Sequence, residues 1–362
     1  MTAPPLPSFE PPSYRLPVHV LGATGSVGQR FVSLLADHPW FEVAGLSASE
    51  RSAGRPYAEA VRWSLPTPIP PTVAALQIAG MEQEPRAELV FSALDATTAR
   101  QHERRLAQAG HVVVTNASAH RLDPDVPLLV PEVNPDHTAL LAAQGFDGGG
   151  ALLANPNCTT IGLVLALRPL VDAFGLEALV LTSLQATSGA GLDGPGFYGM
   201  NDNVLPFIGG EEEKLAQEVP KLLGTVTDGR VEPFDVAVSA TCTRVPVVDG
   251  HTLSVSARFG RRVSPEEVAD TLRAFRAAPQ ELALPSAPAR PVHVLDDESA
   301  PQPRLHRDVD GGMATVVGRI RPCPVLDTRF VLLSHNTLRG AAGGALLVAE
   351  LALATGAIRS ER

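Results

Sequence analysis

Cysteine is scarce in this chain: three thiols in 362 residues, at positions 158, 242 and 323. An odd number, with no Cys-x-x-Cys pair and no neighbouring histidine ligands, excludes a disulfide framework and a structural zinc site. Such usage fits a reducing cytosol, so a cytoplasmic protein without a metal is expected. Positive charge is also short, with 29 Lys and Arg against 39 Asp and Glu and a formal net charge of −10. No cationic excess exists to neutralise phosphates, which argues against a nucleic-acid or anionic-membrane partner and for a small-molecule substrate. Runs of about 20 apolar residues are absent, and the opening holds prolines instead of a basic segment and apolar core, so neither a membrane span nor a secretory leader is expected.

What is present reads as a folded chain. Hydrophobic residues make up 44% and charged residues 19%, far from the composition of disorder, and the length predicts two domains. Residues 1–16 read as a loose proline-rich tail. Residues 17–156 alternate short apolar runs (18–21, 41–46, 89–93, 111–115) with helical periodicity, which predicts an α/β fold: a Rossmann-like, doubly wound parallel sheet for a dinucleotide. Residues 157–336 open on an apolar helix and continue with strand-like segments at 178–185, 236–241, 253–259, 313–320 and 329–334, an α+β domain with a mixed sheet. Ser264 and Pro265 read as the N-cap and first residue of a helix there. The proline-rich segment 285–303 reads as a loop, an interface arm or a partly mobile flap. An Ala-, Gly- and Leu-rich helix over 337–362 is expected to return and complete the first domain.

Several groups of residues point to chemistry. Gly22-x-x-Gly25-x-x-Gly28 stands between a predicted strand and helix, where backbone can approach a pyrophosphate at the positive helix end. Thr24, Ser26 and Val27 fall within the same turn. After the second strand Ser47, Ser49 and Arg51 replace the acid that would hold a ribose hydroxyl pair, favouring the 2′-phosphate of NADP(H) over NAD. Cys158 follows Asn157 and opens a helix, where dipole and free amides favour thiolate, hence a nucleophile. Cys242 and Cys323 read as small fillers. His251 and Arg244 lie in one short segment, an acid–base group beside a bidentate carboxylate ligand. Gln185 ends a strand ahead of a glycine loop, either facing a substrate or satisfied within the loop. Glu211-Glu-Glu-Lys214 by itself reads as a solvated first helical turn.

In order along the chain these motifs, with Asn155-Pro-Asn-Cys-Thr-Thr160, Gln185-Ala-Thr-Ser-Gly-Ala-Gly191, Gly209-Gly-Glu-Glu-Glu-Lys214, Arg244-Val-Pro-Val-Val-Asp-Gly-His251 and Asn336-Thr-Leu-Arg-Gly-Ala-Ala-Gly-Gly344, resemble the aspartate-semialdehyde dehydrogenase family, its archaeal and fungal branch in particular. The resemblance runs from about Val18 to Glu350. It implies Cys158 as nucleophile, His251 as acid and base, and Gln185 as the amide orienting the acyl group. It further implies Arg244 on the substrate carboxylate, Glu211 on its ammonium, and Lys214, Asn157 and Arg121 on phosphate. Ser188, Gly189 and Asn336 would sit with the cofactor. The implied reaction is reductive dephosphorylation of L-4-aspartyl phosphate to the semialdehyde in lysine, threonine and methionine biosynthesis, by a homodimer or homotetramer joined through the second domain. Malonyl-CoA reductase and N-acetylglutamyl-phosphate reductase share the reaction logic, but neither substrate offers Glu211 a free ammonium. A cofactor-binding protein without turnover is the reading from a different class, and the presence of Cys158 and His251 argues against it.

Overall fold

The computed structural model describes residues 9–358 apart from 193 and 195, so residues 1–8 of the expected tail and 359–362 of the expected closing helix lie outside the described residues. Within the remaining tail, Phe9 packs against Trp40, with ring centroids 5.1 Å apart.

Five strands form a parallel sheet: β1 (Leu16–Leu21), β2 (Phe41–Ser47), β3 (Leu89–Ser92), β4 (Val112–Thr115) and β5 (Ala151–Ala154), in the order β2-β1-β3-β4-β5. Their side chains alternate between two cores. Val20, Phe91, Val114 and Leu153 pack with Phe31 of helix α1 (Ser26–Leu35), while Leu21, Val90, Val113 and Leu152 pack with Leu106 of helix α2 (Ala96–Gln108). Covered on both faces, β3, β4 and β5 are buried at every position, which is why they read as continuous apolar runs rather than alternating ones.

Helix α3 (Cys158–Phe174) leads from β5 into the second half. There six strands make a mixed sheet. They are β6 (Ala178–Gln185), then, after helix α4 (Glu211–Leu223) and the small hairpin β7 (Thr225–Thr227) and β8 (Arg230–Glu232), β9 (Ala237–Arg244), β10 (His251–Arg258), β11 (Val292–Leu295), β12 (Thr315–Pro322) and β13 (Thr328–Ser334). The order is β11-β12-β13-β10-β6-β9, with β6 parallel to β9, β11 parallel to β12 and the other neighbours antiparallel. Helix α5 (Pro265–Ala274) starts with a full capping box: the Glu267 N–H donates to Ser264 Oγ, and the Ser264 N–H to the Glu267 carboxylate.

β5 was not expected from the sequence, and two further segments depart from its reading. The segment 285–303, expected as a loop or flap, contributes β11; it is an edge strand, where flanking prolines cost no ladder hydrogen bonds. The closing segment begins with a π-helical turn, Leu338–Ala342, before helix α6 (Gly343–Ala354), whose Leu346, Leu347 and Leu351 join the α1 face of the parallel sheet.

Register sets the place of the site. Gln185 of β6 is paired with Arg244 of β9, and His251 at the start of β10 with Ser334 at the end of β13, so one sheet end gathers all four. The carboxyl ends of the parallel strands, where open α/β sheets bind ligands, supply the glycine turn, Leu94 and Asp95, Asn116 and Cys158, and face that end across a common cleft. Among the described residues no helix is long and apolar enough to cross a membrane, and no group of three metal-ligating side chains is found.

Candidate active site

The glycine turn is held from behind. The Ala23 N–H donates to the Ser47 carbonyl at 3.0 Å, and the buried Tyr57 hydroxyl donates to the Ala23 carbonyl at 2.9 Å. Gly22 has φ +72°, and a Cβ on Gly28 would run into the Gly22 carbonyl and the Ala23 Cα, so the turn closes only with glycine at both places. Gly25 is the N-cap of α1 and offers no side-chain cap, which leaves the first-turn amides for an incoming anion. This uncapped turn fits a dinucleotide pyrophosphate. Gly22, Thr24, Gly25 and Ser49 line the nucleotide end of the cleft; Ser26, Val27, Ser188, Gly189 and Asn336 line the end with Cys158; Leu94 and Asp95 line both.

Three expected cofactor residues lie elsewhere. Ser47 is wholly buried, its hydroxyl 2.8 Å from His19 Nε2. It faces the sheet interior, so of these two serines Ser49 alone lines the cleft. Arg51 is exposed and outside the lining. Gly28 acts by close packing behind the turn rather than from the cleft wall.

Cys158 is the first residue of α3, and its Sγ lies 3.2 Å from His251 Nε2. Two features fix the imidazole. The Ala186 N–H donates to Nδ1 at 3.0 Å, so the neutral ring carries its proton on Nε2, toward the sulfur. The Gly250 N–H donates to Asn336 Oδ1, while Asn336 Nδ2 donates to Ser188 Oγ, tying three loops behind the ring. On the other side Gly340 is pressed against the nucleophile: a Cβ there would stand 2.7 Å from the Cys158 Cβ.

Two features of the site oppose the ionised thiol expected from the helix end. Asn157 Oδ1 accepts the N–H groups of Thr159 and Thr160, so those two amides are engaged and cannot stabilise a thiolate or an acyl oxyanion. Burial, then the nearby Glu211 carboxylate, push the Cys158 thiol up to about 12. Burial, then the Arg244 cation, push His251 down to about 3. Both shifts favour the neutral thiol and the neutral imidazole over the ion pair.

Around this pair stands a polar ring. Glu211 accepts from Lys214 Nζ at 2.7 Å, from Asn157 Nδ2 at 2.9 Å and from Gln185 Nε2 at 3.2 Å. Burial alone would raise its pKa, but Lys214 and the two amides hold it below the ordinary carboxylate range. Arg244 is buried and donates to the Ala186 carbonyl at 2.8 Å. Arg121 reaches the same cleft from the loop after β4, donating to the Asn116 carbonyl and to Glu218. Every expected catalytic and substrate residue is therefore gathered in one cleft of about 600 Å³ or, for His251, bonded to a residue that lines it.

Gly340, Glu218 and Lys221 were missed by the sequence reading. For the last two a signal existed: Glu211, Lys214, Glu218 and Lys221 recur at i, i+3, i+7 and i+10, one face of a helix.

Comparison with known proteins follows the same division. The semialdehyde dehydrogenase NAD-binding domain model matches residues 17–141, and the semialdehyde dehydrogenase dimerisation domain model matches 167–339. The aspartate-semialdehyde dehydrogenase of Methanothermobacter thermautotrophicus is 46% identical over 92% of this chain and 98% of its own. The crystal structure of the Candida albicans enzyme with NADP superposes with a TM-score of 0.88 at 42% identity, covering 95% of this chain and all of that one. A Vibrio cholerae enzyme, solved as a complex with ASA, gives 0.75 at 26% identity over 94% and 98%. The chain belongs to the aspartate-semialdehyde dehydrogenase family, and archaeal and fungal members resemble it more than the Vibrio enzyme does.

Proposed function

We propose that this chain reduces L-4-aspartyl phosphate to L-aspartate 4-semialdehyde with NADPH, releasing phosphate, through a thioester on Cys158. The observation that carries this reading is the 3.2 Å pair of Cys158 Sγ and His251 Nε2 in a cleft that also holds an anionic Glu211 and a buried Arg244. Arg244 takes the substrate carboxylate as a fork, and Glu211 takes its ammonium. Lys214 and Arg121 face the phosphate beside Asn157. The Nε2–H of His251 stabilises the thiolate as it forms and then the acyl oxygen, in company with Gln185 and the N–H of Cys158 itself. Attack by sulfur on the acyl carbon breaks the bond to phosphate, the departing phosphate taking up the thiol proton, and leaves a thioester, in which the carbonyl stays electrophilic and the acyl group stays tethered. Bound in the glycine turn, the dinucleotide supplies the hydride. Collapse of the thiohemiacetal restores Cys158 and frees the aldehyde without any need for an imidazolium.

NADP is preferred over NAD because Ser49 offers a hydroxyl at the nucleotide end of the cleft, which Glu50 also lines with its carboxyl beside Gly80. The protein acts in the cytoplasm, as a homodimer or homotetramer joined through the mixed sheet. The test is an assay of the reverse reaction, in which NADP is reduced only when the semialdehyde and phosphate are both supplied. Cys158→Ala is expected to abolish it. Turnover of malonyl-CoA with none of the semialdehyde would sink the substrate assignment.

A further inference from the structure

The four charged residues of α4 that share one helix face alternate in sign: Glu211, Lys214, Glu218 and Lys221. The first two line the cleft; the last two do not. Glu218 is 2% exposed, yet its carboxylate is divided between two partners. Oε1 accepts Arg121 Nη1 at 3.0 Å, and Oε2 accepts the backbone N–H of Asn157, the residue before the nucleophile, at 2.7 Å. Arg121 is itself 8% exposed and lines the cleft. One turn further, Lys221 Nζ donates to the carbonyls of Arg121, Asp123 and Val126 at 2.7–3.1 Å, clamping the loop that carries the guanidinium.

We infer that Glu218 is a positioning residue for anion recognition: by bridging Arg121 and the Asn157 N–H it fixes the guanidinium relative to Cys158 Sγ. A buried arginine needs a counter-charge, but a carboxylate used only for that would meet the fork with both oxygens. Here one oxygen is given to the backbone at the mouth of α3, so a single planar group sets both the cation and the nucleophile's helix. Lys221 completes the arrangement by holding the loop from the same helix. The inference deepens the proposed reading by assigning the geometry of its phosphate half.

The sign of the effect separates positioning from charge balance. In Glu218→Gln one oxygen can still accept, but the amide NH₂ meets the other donor head-on, while net positive charge at the anion site rises. Positioning predicts that KM for phosphate increases about 10-fold with KM for the semialdehyde within about 2-fold. Simple charge balance predicts a lower KM for phosphate. A general loss of structure lowers kcat and leaves the ratio of the two KM values alone. Either of those results overturns the inference.

A second readout does not depend on the substrate. The rate of Cys158 alkylation by iodoacetate, an anion, is divided by that for neutral iodoacetamide, each followed on the Cys158 peptide by mass spectrometry. The quotient should fall about 5-fold in Glu218→Gln and by no more in the double variant Arg121→Ala/Glu218→Gln. A quotient unchanged or raised in Glu218→Gln overturns the positioning role even if the wild-type enzyme turns over another acyl donor. An inactive wild type with the expected fall in the quotient would instead strike only the substrate reading. Should Glu218→Gln be insoluble, Arg121→Lys keeps the buried charge and removes the fork; a wild-type quotient there overturns the inference.

Discussion

Of the helices that begin at the cleft, two have first turns treated in opposite ways. α1 starts at Gly25, which offers no side chain to its amides, whereas α3 starts at Asn157, whose Oδ1 takes the amides of Thr159 and Thr160. The open end suits a ligand that brings its own negative charge. The closed end serves a nucleophile that must be placed before it is ionised. A positive helix terminus is thus no guarantee of a thiolate: what matters is whether the donors there are free. At α3 those of Thr159 and Thr160 are not, and burial with Glu211 nearby pushes the thiol pKa up.

The widest margin for breaking this contrast lies in pH. With the thiol pushed up to about 12 and His251 down to about 3, the thiolate fraction of the ligand-free protein grows with every step toward alkaline pH. Iodoacetamide alkylation of Cys158 should then rise about 10-fold per pH unit from pH 6 to 9, about 1000-fold in all, without levelling. A plateau near neutrality would mean a resting thiolate–imidazolium pair and would erase the difference between the two helix ends. Next comes Gly28→Val, which drives a side chain into the Gly22 carbonyl; NADPH affinity, followed by fluorescence titration, should weaken about 100-fold. Wild-type binding by that variant would remove the open turn from the cofactor site. Ser49→Asp sharpens the account of the nucleotide end: the ratio of kcat/KM for NADP to that for NAD should drop about 30-fold, whereas an unchanged ratio places the 2′-phosphate away from Ser49. The smallest effect is expected from Asn157→Ala, which turns the closed end into an open one. Neutral-pH alkylation should quicken about 5-fold while unfolding stability in urea falls by about 1–2 kcal/mol. Slower alkylation would show that the cap supports the thiolate instead of competing with it.

The glycine turn and the Cys158 helix start were legible because each is local: a strand, glycines and a helix in the first, Asn157 and an apolar helix in the second. Gln185, Arg244 and His251 were legible as residue types, but their meeting depends on strand register, which motif spacing alone does not state. Ser47 and Ser49 show how narrow that limit is. Both follow an apolar strand, yet the first is turned inward to His19 and only the second faces the nucleotide cleft, a difference of side rather than of composition. Arg51 follows directly on the cleft-lining Ser49 and Glu50, with its own side chain exposed. β5 and β11 escaped because of their surroundings, one behind a glycine cluster and the other inside a proline-rich stretch. Glu218 and Lys221 carried a periodic signal, but their partners are 61 and about 100 positions away in sequence, and nothing local announces a bond across such a distance.

The last helix has a consequence for how the protein is made. Leu346, Leu347 and Leu351 of α6 fill the same core as Phe31 and Phe91, so the nucleotide half is assembled from both ends of the chain. During synthesis the parallel sheet emerges from the ribosome well before α6 and lacks one wall until that helix has been made. Its apolar face must wait for α6, shielded by chaperones or by transient collapse. A nonsense mutation anywhere before α6 should for that reason yield an aggregating product, and not a stable nucleotide-binding fragment.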